Sequence, residues 1–525
     1  MISAFTGQQI RDAEQPLLAS GEGAVLMQRA AYGLAHAVAR EVKKRRKLAG
    51  ASVTVLVGKG NNGGDGLFAA ALLARRGMRT TAVLAAAEVH AEALAAFVAA
   101  GGRVVRLEAA NAEELAVLCA GDDVIIDALL GTGARGGLRD ASAELVASLQ
   151  ELRPRLVVAC DLPSGLDANT GEVHWPVLDA DVTVTFGGIK AGLMADPGEG
   201  CAGRVERVPI GIEKQLEHNS PELRRLTASD IGALLPNPGR RAHKYSRGVL
   251  GVVAGSARFA GAAVLSVHAA ALAGSGMVRY LGPQAAAQLV LARTPEALWE
   301  TDDPGRVQAW LLGSGVAGEE QLERARDAGS SALADGLPVI VDAGALSLLP
   351  DRCPPHWILT PHAGELATLL GSLPSTGEVK VTRDDVESRP LHFVRQAAEQ
   401  TGATVLLKGA TTLVSSPSGV VFSQSDGTAW MATAGSGDVL AGVLGALLAQ
   451  AAESINDDDG AYARLGLKLE DRWAALAAVA ASVHGRAGAL ASANFDGGPL
   501  TASAIMAAVP RVIGSLNAEY DRTRP

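Results

Sequence analysis

The chain is predicted to be an α/β protein made of two successive parallel-sheet domains, and three observations carry that prediction. Its 525 residues are more than one ordinary core accommodates. Short β-rich runs alternate with Ala/Leu-rich helical stretches, the pattern of parallel strands covered by helices on both faces. The alternation breaks once, in a polar stretch near the middle, and then resumes.

An opening helical segment contains "AVLMQRAAYGLAHAVAREV", and strands are predicted at 52–57, 80–84, 103–107, 123–128, 155–160 and 182–186. From 211 to 238, "GIEKQLEHNSPELRRLTASDIGALLPNP" is polar and carries no strand signal, so the linker is placed near 212–226. The domains are then 1–215 and 227–525, with 216–226 between them. Strands of the second series are expected at 250–254, 277–281, 308–312, 338–342 and 404–407, followed by a hairpin of "TTLVSS" and "GVVFSQ". Two polar segments, 371–390 and 453–471, read as surface excursions, and no internal repeat of fixed period is found.

Hydrophobic content of 48% with 20% charge is that of a globular protein. A net charge of -9 argues against nucleic acid or an anionic membrane as partner and leaves small molecules. The four cysteines form no C-x-x-C pair, and the start "MISAFTGQQIRDAEQP" lacks the pattern of a signal peptide, so a reducing, cytoplasmic setting is expected. The longest apolar stretch, "VLAGVLGALLAQAA" from Val439, is too short to span a bilayer. Apolar faces on both domains make a homo-oligomer the expected state.

The first chemical signal is "VLVGKGNNGGDG", residues 55–66. A β run, a Gly-rich loop and a helix start, with Glu88 about 20 residues on, satisfy the dinucleotide fingerprint. Yet Asp65 places a carboxylate where that fingerprint meets phosphate, competing for the same helix N–H groups. As a lone residue it would read as a helix cap. Two further loops follow β runs: "IIDALLGTGARGG", with Asp127, and "VVACDLPSGLDANTGE", with Asp161, Ser164 and Asp167. In a parallel sheet all three gather at the carboxyl edge, where such folds bind ligands.

"GNNGGDG", "DALLGTG" and "DLPSGLD", in this order, resemble the NAD(P)H-hydrate epimerase family. The resemblance implies a Rossmann-like three-layer domain that interconverts the R and S epimers of hydrated NADH or NADPH. It implies substrate contacts at Asn61, Asn62, Gly63, Gly64 and Asp65, at Gly131, Thr132, Gly133, Ala134, Arg135, Gly136 and Gly137, and at Asp161. It also implies a potassium ion held by Asn62, Asp127 and Ser164, an oxygen-only donor set suited to a hard cation. Asp161, at a strand end, is the candidate for acid/base work, against a structural role bonded to the "PSG" turn.

In the second half the strongest signal is "TAGSGDVLAGVLGALL", residues 433–448. Gly435, Ser436 and Gly437 can turn tightly at a helix start and point N–H groups at an anion, and Asp438 can accept a hydroxyl proton. That pairing suits phosphoryl transfer to an alcohol, whereas no Walker-type G-x-x-x-x-G-K-[ST] occurs. A Gly-rich helix cap is the bland reading. With "HKYSRGVLGVVAGSARFAG" from His243, "LLGSGVAG", "TPHAGE" and "LLKGATTLV", the set resembles the ADP-dependent NAD(P)H-hydrate dehydratase family over about 227–515. That implies a ribokinase-like fold, hydrate contacts at Ala262, Gly315, His362 and Asp438, and ADP or ATP bound by Lys408, Gly409, Ala410, Thr411 and Thr412 with Gly435, Ser436 and Gly437. Mg would accompany the nucleotide. Phosphorylation of the ring hydroxyl and loss of phosphate would restore the double bond, with Asp438 as base.

The chain departs from the family pattern in a polar insertion after "TLLGS", at the place of a lid or an interface, and at two single residues. Ser436 replaces the usual Thr, and Gly344 in "VDAGAL" stands where Asp is common. Rival readings are a small-molecule kinase, a non-catalytic binding module in the first half, and a dinucleotide-dependent dehydrogenase, for which no hydride-transfer partner site is apparent.

Overall fold

The computed structural model describes residues 1–300, 305–373 and 380–523. Two compact units result, residues 3–223 and, with the first two residues, 224 onward. The division falls inside the polar middle stretch. That stretch is not structureless: it carries the helix Glu213–Leu216, the strand Leu223–Arg225 and the helix Ala228–Leu234. A three-residue strand ending in two arginines leaves no period to read; buried Leu223, the parallel pairing of Arg224 with Phe422 and the hydrogen bonds from Arg225 to Ser423 hold it.

In the first unit, strands β1 (Ser52–Val57), β2 (Arg79–Leu84), β3 (Arg103–Arg106), β4 (Val124–Ala128), β5 (Val157–Cys160), β6 (Val182–Phe186) and β7 (Arg204–Val208) form one sheet. Its order is 3-2-1-4-5-6-7 and all pairs are parallel. The first six places follow the doubly wound dinucleotide-binding order, which reverses between β1 and β4. Period-two alternation splits the apolar residues between two cores. Val53, Val55, Val57, Ile126 and Val158 pack on the side of the helices α1 (Gly7–Ala19), α2 (Gly23–Arg45) and α3 (Asn61–Ala74). Leu56, Ile125, Val157 and Ala159 pack with α4 (Ala112–Ala120) and α5 (Asp140–Leu152) on the other face. At roughly 1.5–3 kcal/mol per buried branched side chain, these cores make the sheet edge a rigid platform. Strand β7 was not expected, because "RVERV" alternates charge rather than apolarity. It is held as an edge by Arg40 on Glu206 and Arg204 on Glu41. A short parallel pair, Ile2–Phe5 with Ile189–Lys190, fixes Lys190.

The second unit contains β8 (Val249–Val253), β9 (Met277–Leu281), β10 (Leu298–Glu300), β11 (Ala309–Leu312), β12 (Val339–Val341), β13 (Trp357–Leu359), β14 (Thr404–Leu407), β15 (Thr412–Ser415) and β16 (Val421–Gln424). They lie in the order 10-9-8-11-12-13-14-15-16, parallel as far as β14 and antiparallel through the expected hairpin. Helices α6 (Ala260–Leu272), α7 (Ser436–Ala451) and α8 (Arg472–Ala493) fill its core. By length and composition the segment nearest to a membrane span is Leu469–Ala493, not the stretch from Val439, and 83% of its most apolar window is buried inside the unit. The segment 453–471 is no simple surface excursion, since Ile455, Tyr462 and Leu467 join the core and buried Asp471 accepts from Ser416 and Ser418. Of the other polar segment, residues 374–379 lie outside the described ones.

Candidate active sites

The loop after β1 needs its glycines. A Cβ at Gly58 would stand 1.7 Å from the Leu129 carbonyl oxygen, and Gly60 has φ +97°. Gly63 approaches the Gly58 carbonyl so closely that a Cβ would be 2.3 Å away. The loop is thereby pressed against the one after β4, with Asn62 Nδ2 donating to Leu130 O at 2.9 Å. The loop after β5 joins them through fully buried Asp127. Ser164 donates Oγ–H to its Oδ1 at 2.6 Å and backbone N–H to its Oδ2 at 2.8 Å, and Leu130 N donates to Ser164 Oγ at 2.9 Å. Burial pushes the Asp127 carboxyl up, against these hydrogen bonds.

Above this knot opens a cavity of about 530 Å³, walled by Asn61, Asn62, Asp65, the backbone from Leu129 to Ala134, Asp161 and Lys190, and by Glu14 and Met27 from α1 and α2. Asp161 follows β5 with φ +70°, a left-handed conformation that costs a non-glycine residue about 1 kcal/mol or more and that aspartate tolerates better than most. It is over-determined by partners. Lys190 forms an ion pair with Oδ1, Thr132 donates Oγ–H to Oδ2, and Thr185 Oγ1 and Phe186 N reach Oδ1 at 3.2 and 3.4 Å. Burial alone would raise the Asp161 carboxyl, but the Lys190 charge and these donors hold it below its ordinary value. Asp65 has the opposite surroundings. It is 8% exposed, its Oδ1 has no partner, and burial followed by the charges of Asp161 and Glu14 raises it well above the usual carboxylate range.

Not every expected residue reaches the cavity. Gly63 and Gly64 serve close packing, the latter against His90, while Arg135 and Gly136 are exposed and Gly137 abuts His174. Glu88, the acidic residue of the dinucleotide fingerprint, is 84% exposed and pairs with Lys59 at the surface. Asp167 accepts from the N–H groups of Asn169 and Thr170, a turn role. Lys190 and Glu14 were missed. A lysine inside "FGGIKAG" was the available signal for the first, and nothing local marks the second.

In the second unit Gly435, in the left-handed region at φ +87°, starts α7 and turns the Ser436 and Gly437 backbone toward the loop after β14. A Cβ at Gly437 would lie 3.6 Å from Lys408 Nζ. Lys408 bonds Asp342 Oδ1 at 2.9 Å and stands 3.8 Å from Glu365. Burial and then Asp342 raise the Asp438 carboxyl to about 6, Lys408 opposing. Asp342, at the end of β12, also accepts from Ser314 and Thr360, both at 2.9 Å. Sequence reasoning missed Asp342, although it stands at a strand end; at Gly344, two residues on, a Cβ would stand 2.4 Å from the Val316 carbonyl oxygen, which accounts for the glycine.

His362 caps the helix Ala363–Ser372. Its Nδ1 accepts from Gly364 N and Glu365 N, leaving an exposed ring beside Lys408, with which it forms a parallel bridge. Ala262 and Gly315 meet, a Cβ on Gly315 falling 2.5 Å from that of Ala262. Gly409, Ala410 and Thr411 form the β14–β15 turn, which Thr412 ends. His484, unexpected from sequence, is buried on α8 with Nε2 3.3 Å from Ser436 Oγ, and burial lowers it to about 4. Among the described residues no group of three or more His, Cys, Asp or Glu side chains is placed to hold a metal ion.

The family models divide as the geometry does. Residues 23–192 match the YjeF-related protein N-terminus, and residues 250–511 match NAD(P)H-hydrate dehydratase. The bifunctional NAD(P)H-hydrate repair enzyme Nnr of Mycobacterium tuberculosis is 42% identical over 461 residues, covering 85% of this chain and 89% of the relative. That of Moorella thermoacetica is 32% identical over 533 residues, covering 95% and 93%. A solved structure, the ADP/ATP-dependent NAD(P)H-hydrate dehydratase from Bacillus subtilis co-crystallised with ATP/Mg2+, aligns with a TM-score of 0.46 at 24% identity over 56% of this chain and 98% of that one. The first unit is thus Rossmann-like in its strand order, the second is a mainly parallel α/β unit that matches NAD(P)H-hydrate dehydratase, and the chain belongs to the family of bifunctional NAD(P)H-hydrate repair enzymes.

Proposed function

We propose that the chain restores hydrated NADH and NADPH in two steps, epimerising R and S hydrates in the first unit and dehydrating the S hydrate in the second at the expense of ADP or ATP. The observation that carries this reading is the pair of independently built sites, each at the carboxyl edge of its own parallel sheet. One is a cavity around Asp161 and Lys190 and the other a helix start beside Asp438 and Lys408. On this reading residues 1–215 and 227–525 are the two catalytic domains.

In the first unit the hydrate's ring enters the cavity, with Asn61, Asn62 and the Gly131–Ala134 backbone donating to the nucleotide's phosphates and sugars. Asp161 stays ionised at neutral pH through Lys190, so it accepts a proton. The donor set at Asn62, Asp127 and Ser164 is all oxygen with one carboxylate. Because Asn62 gives its amide N–H to Leu130, its Oδ1 is the ligating atom, and the set fits a potassium ion. When bound there, potassium would neutralise Asp127 and fix the three loops.

In the second unit Asp438 removes the proton of the ring hydroxyl as its oxygen attacks the terminal phosphorus of the nucleotide, breaking the bond to the bridging oxygen and releasing ADP from ATP or AMP from ADP. The N–H groups at Gly435, Ser436 and Gly437, with Lys408, meet the charge that develops. Phosphate then leaves as the neighbouring carbon gives up a proton and the double bond re-forms. Magnesium would arrive on the nucleotide's phosphates and share that charge. His362, Ala262 and Gly315 shape the hydrate side. The buried, unpaired cysteines suit a cytoplasmic setting, and sedimentation reads out the expected homo-oligomer.

Supplying pure S hydrate of NADH with ATP or ADP tests the second activity. NADH absorbance should return with one phosphate released per hydrate. A stable phosphorylated product instead, or nucleotide hydrolysis without NADH, would overturn the assignment.

A further inference from the structure

Within the cavity of the first unit one carboxyl group has no explanation in the fold. Asp65 sits in the second turn of α3, too far along to cap it, and its Oδ1 is buried without a partner. An orphaned buried carboxyl oxygen costs stability, and a side chain that served only packing would be better as an apolar residue. The same cavity is also lined by Asp161, whose oxygens are engaged by Lys190, Thr132, Thr185 and Phe186 N. Two carboxyl groups in one cavity thus have opposite surroundings, one saturated with donors and a cation, the other buried with its Oδ1 unpartnered.

We propose that Asp65 is the proton donor of the epimerisation and Asp161 the acceptor, the two acting on the hydroxyl as it leaves and returns; this rests on the epimerase reading above. The chemistry balances. In the hydrate the hydroxyl is on the carbon beside the ring nitrogen. Asp65 gives its proton to that oxygen, the C–O bond breaks to release water, and the nitrogen lone pair forms the C=N double bond of an iminium cation. Water then adds to the opposite face. Oxygen on a cationic carbon is strongly acidic, so the weak base Asp161 suffices to take its proton. The ionised Asp65 left behind pairs with the iminium. One direction moves a proton from Asp65 to Asp161 and the other moves it back, and exchange with solvent resets the pair.

The environment supports the donor role. Burial, Asp161 on the loop after β5 and Glu14 on α1 all favour the protonated form of Asp65, and Lys190 opposes them weakly. Cys160 is buried, held neutral and faces the same group, while Arg11 and Lys59 stand on the wall. Opposed carboxyl environments of this kind assign acid and base.

The test uses the full chain with R hydrate of NADH and no nucleotide, following the R/S ratio by chromatography above the buffer background. Asp65→Asn keeps the shape and loses the proton. Its epimerisation rate should fall by about a hundredfold or more, with R-hydrate binding by equilibrium dialysis within about threefold and nucleotide-dependent dehydration of S hydrate unchanged. The wild-type rate should decline on the alkaline side as Asp65 ionises, and the residual D65N rate should lack that limb. If D65N fails to fold, the wild-type profile decides, since a rate flat through the alkaline range overturns the proposal. So does a folded D65N that retains its rate and its limb. A wild-type chain that never epimerises the R hydrate refutes the epimerase reading itself.

Discussion

Replacing Asp438 by asparagine should abolish dehydration and at the same time stabilise the second unit. Burial and the neighbouring Asp342 raise this carboxyl from 3.8 to about 6. A shift of about two units at roughly 1.36 kcal/mol each gives about 3 kcal/mol, which solvent screening at a half-buried site lowers to about 1–3 kcal/mol. The sign follows from the raised folded value. Below the unfolded pKa both states are protonated and the charge costs nothing. The cost grows as pH rises from about 4 and is complete once pH exceeds the folded value, about 6. D438N escapes it, so its midpoint for thermal unfolding should rise by about 2–6 °C at pH 8, and by roughly half as much at pH 5. Calorimetry at the two pH values, beside nucleotide-dependent NADH recovery, reads both effects. An equal shift at both pH values, or destabilisation at pH 8, would refute the electrostatic reasoning. Retained turnover would refute the base.

Lys190→Met leaves Asp161 buried without its cation and should cost about 3–5 kcal/mol at neutral pH. Adding Asp161→Asn should recover most of that in chemical denaturation. His484 is lowered to about 4 by burial, so the stability it confers is full above its ordinary value of 6.5 and is lost as pH falls toward 4. His484→Asn should flatten that part of the stability profile, up to about 3 kcal/mol. Gly58→Ala drives a Cβ into the Leu129 carbonyl and should destabilise the first unit by at least about 3 kcal/mol while halting epimerisation, as circular dichroism melts and the R/S assay would show. Exchanging potassium for lithium should slow epimerisation, and Ser164→Ala should weaken that dependence, measured as rate against cation concentration.

Much of the fold was legible because the central strands obey simple rules. Strands 52–57, 182–186, 277–281 and 404–407 lie where their β-branched, aromatic and aliphatic runs place them. What escaped were edges. Arg204–Val208 is stabilised by charged pairs rather than burial, and Leu223–Arg225 is too short to show a period. The 453–471 segment misled because its four acidic residues between Glu453 and Asp459 conceal three core side chains. At the sites, the backbone-built parts were readable, since glycines at loop apices and carboxylates at strand ends report their own geometry. Lys190, Glu14 and His484 were not, because their importance arises from what the fold brings to them, whereas Asp342, a carboxylate at the end of β12, carried the readable signal. Lys190 gains its meaning only when a two-residue strand carries it to Asp161, and His484 only when α8 passes beneath Ser436.

The most direct test of the account supplies the intact chain with a mixture of R and S hydrates of NADH and measures NADH recovered with ADP, with ATP and with neither. The account predicts complete recovery with a nucleotide and none without. Recovery that stops at the S share would contradict the epimerase role of the first unit, and failure with both nucleotides would contradict the repair function as a whole.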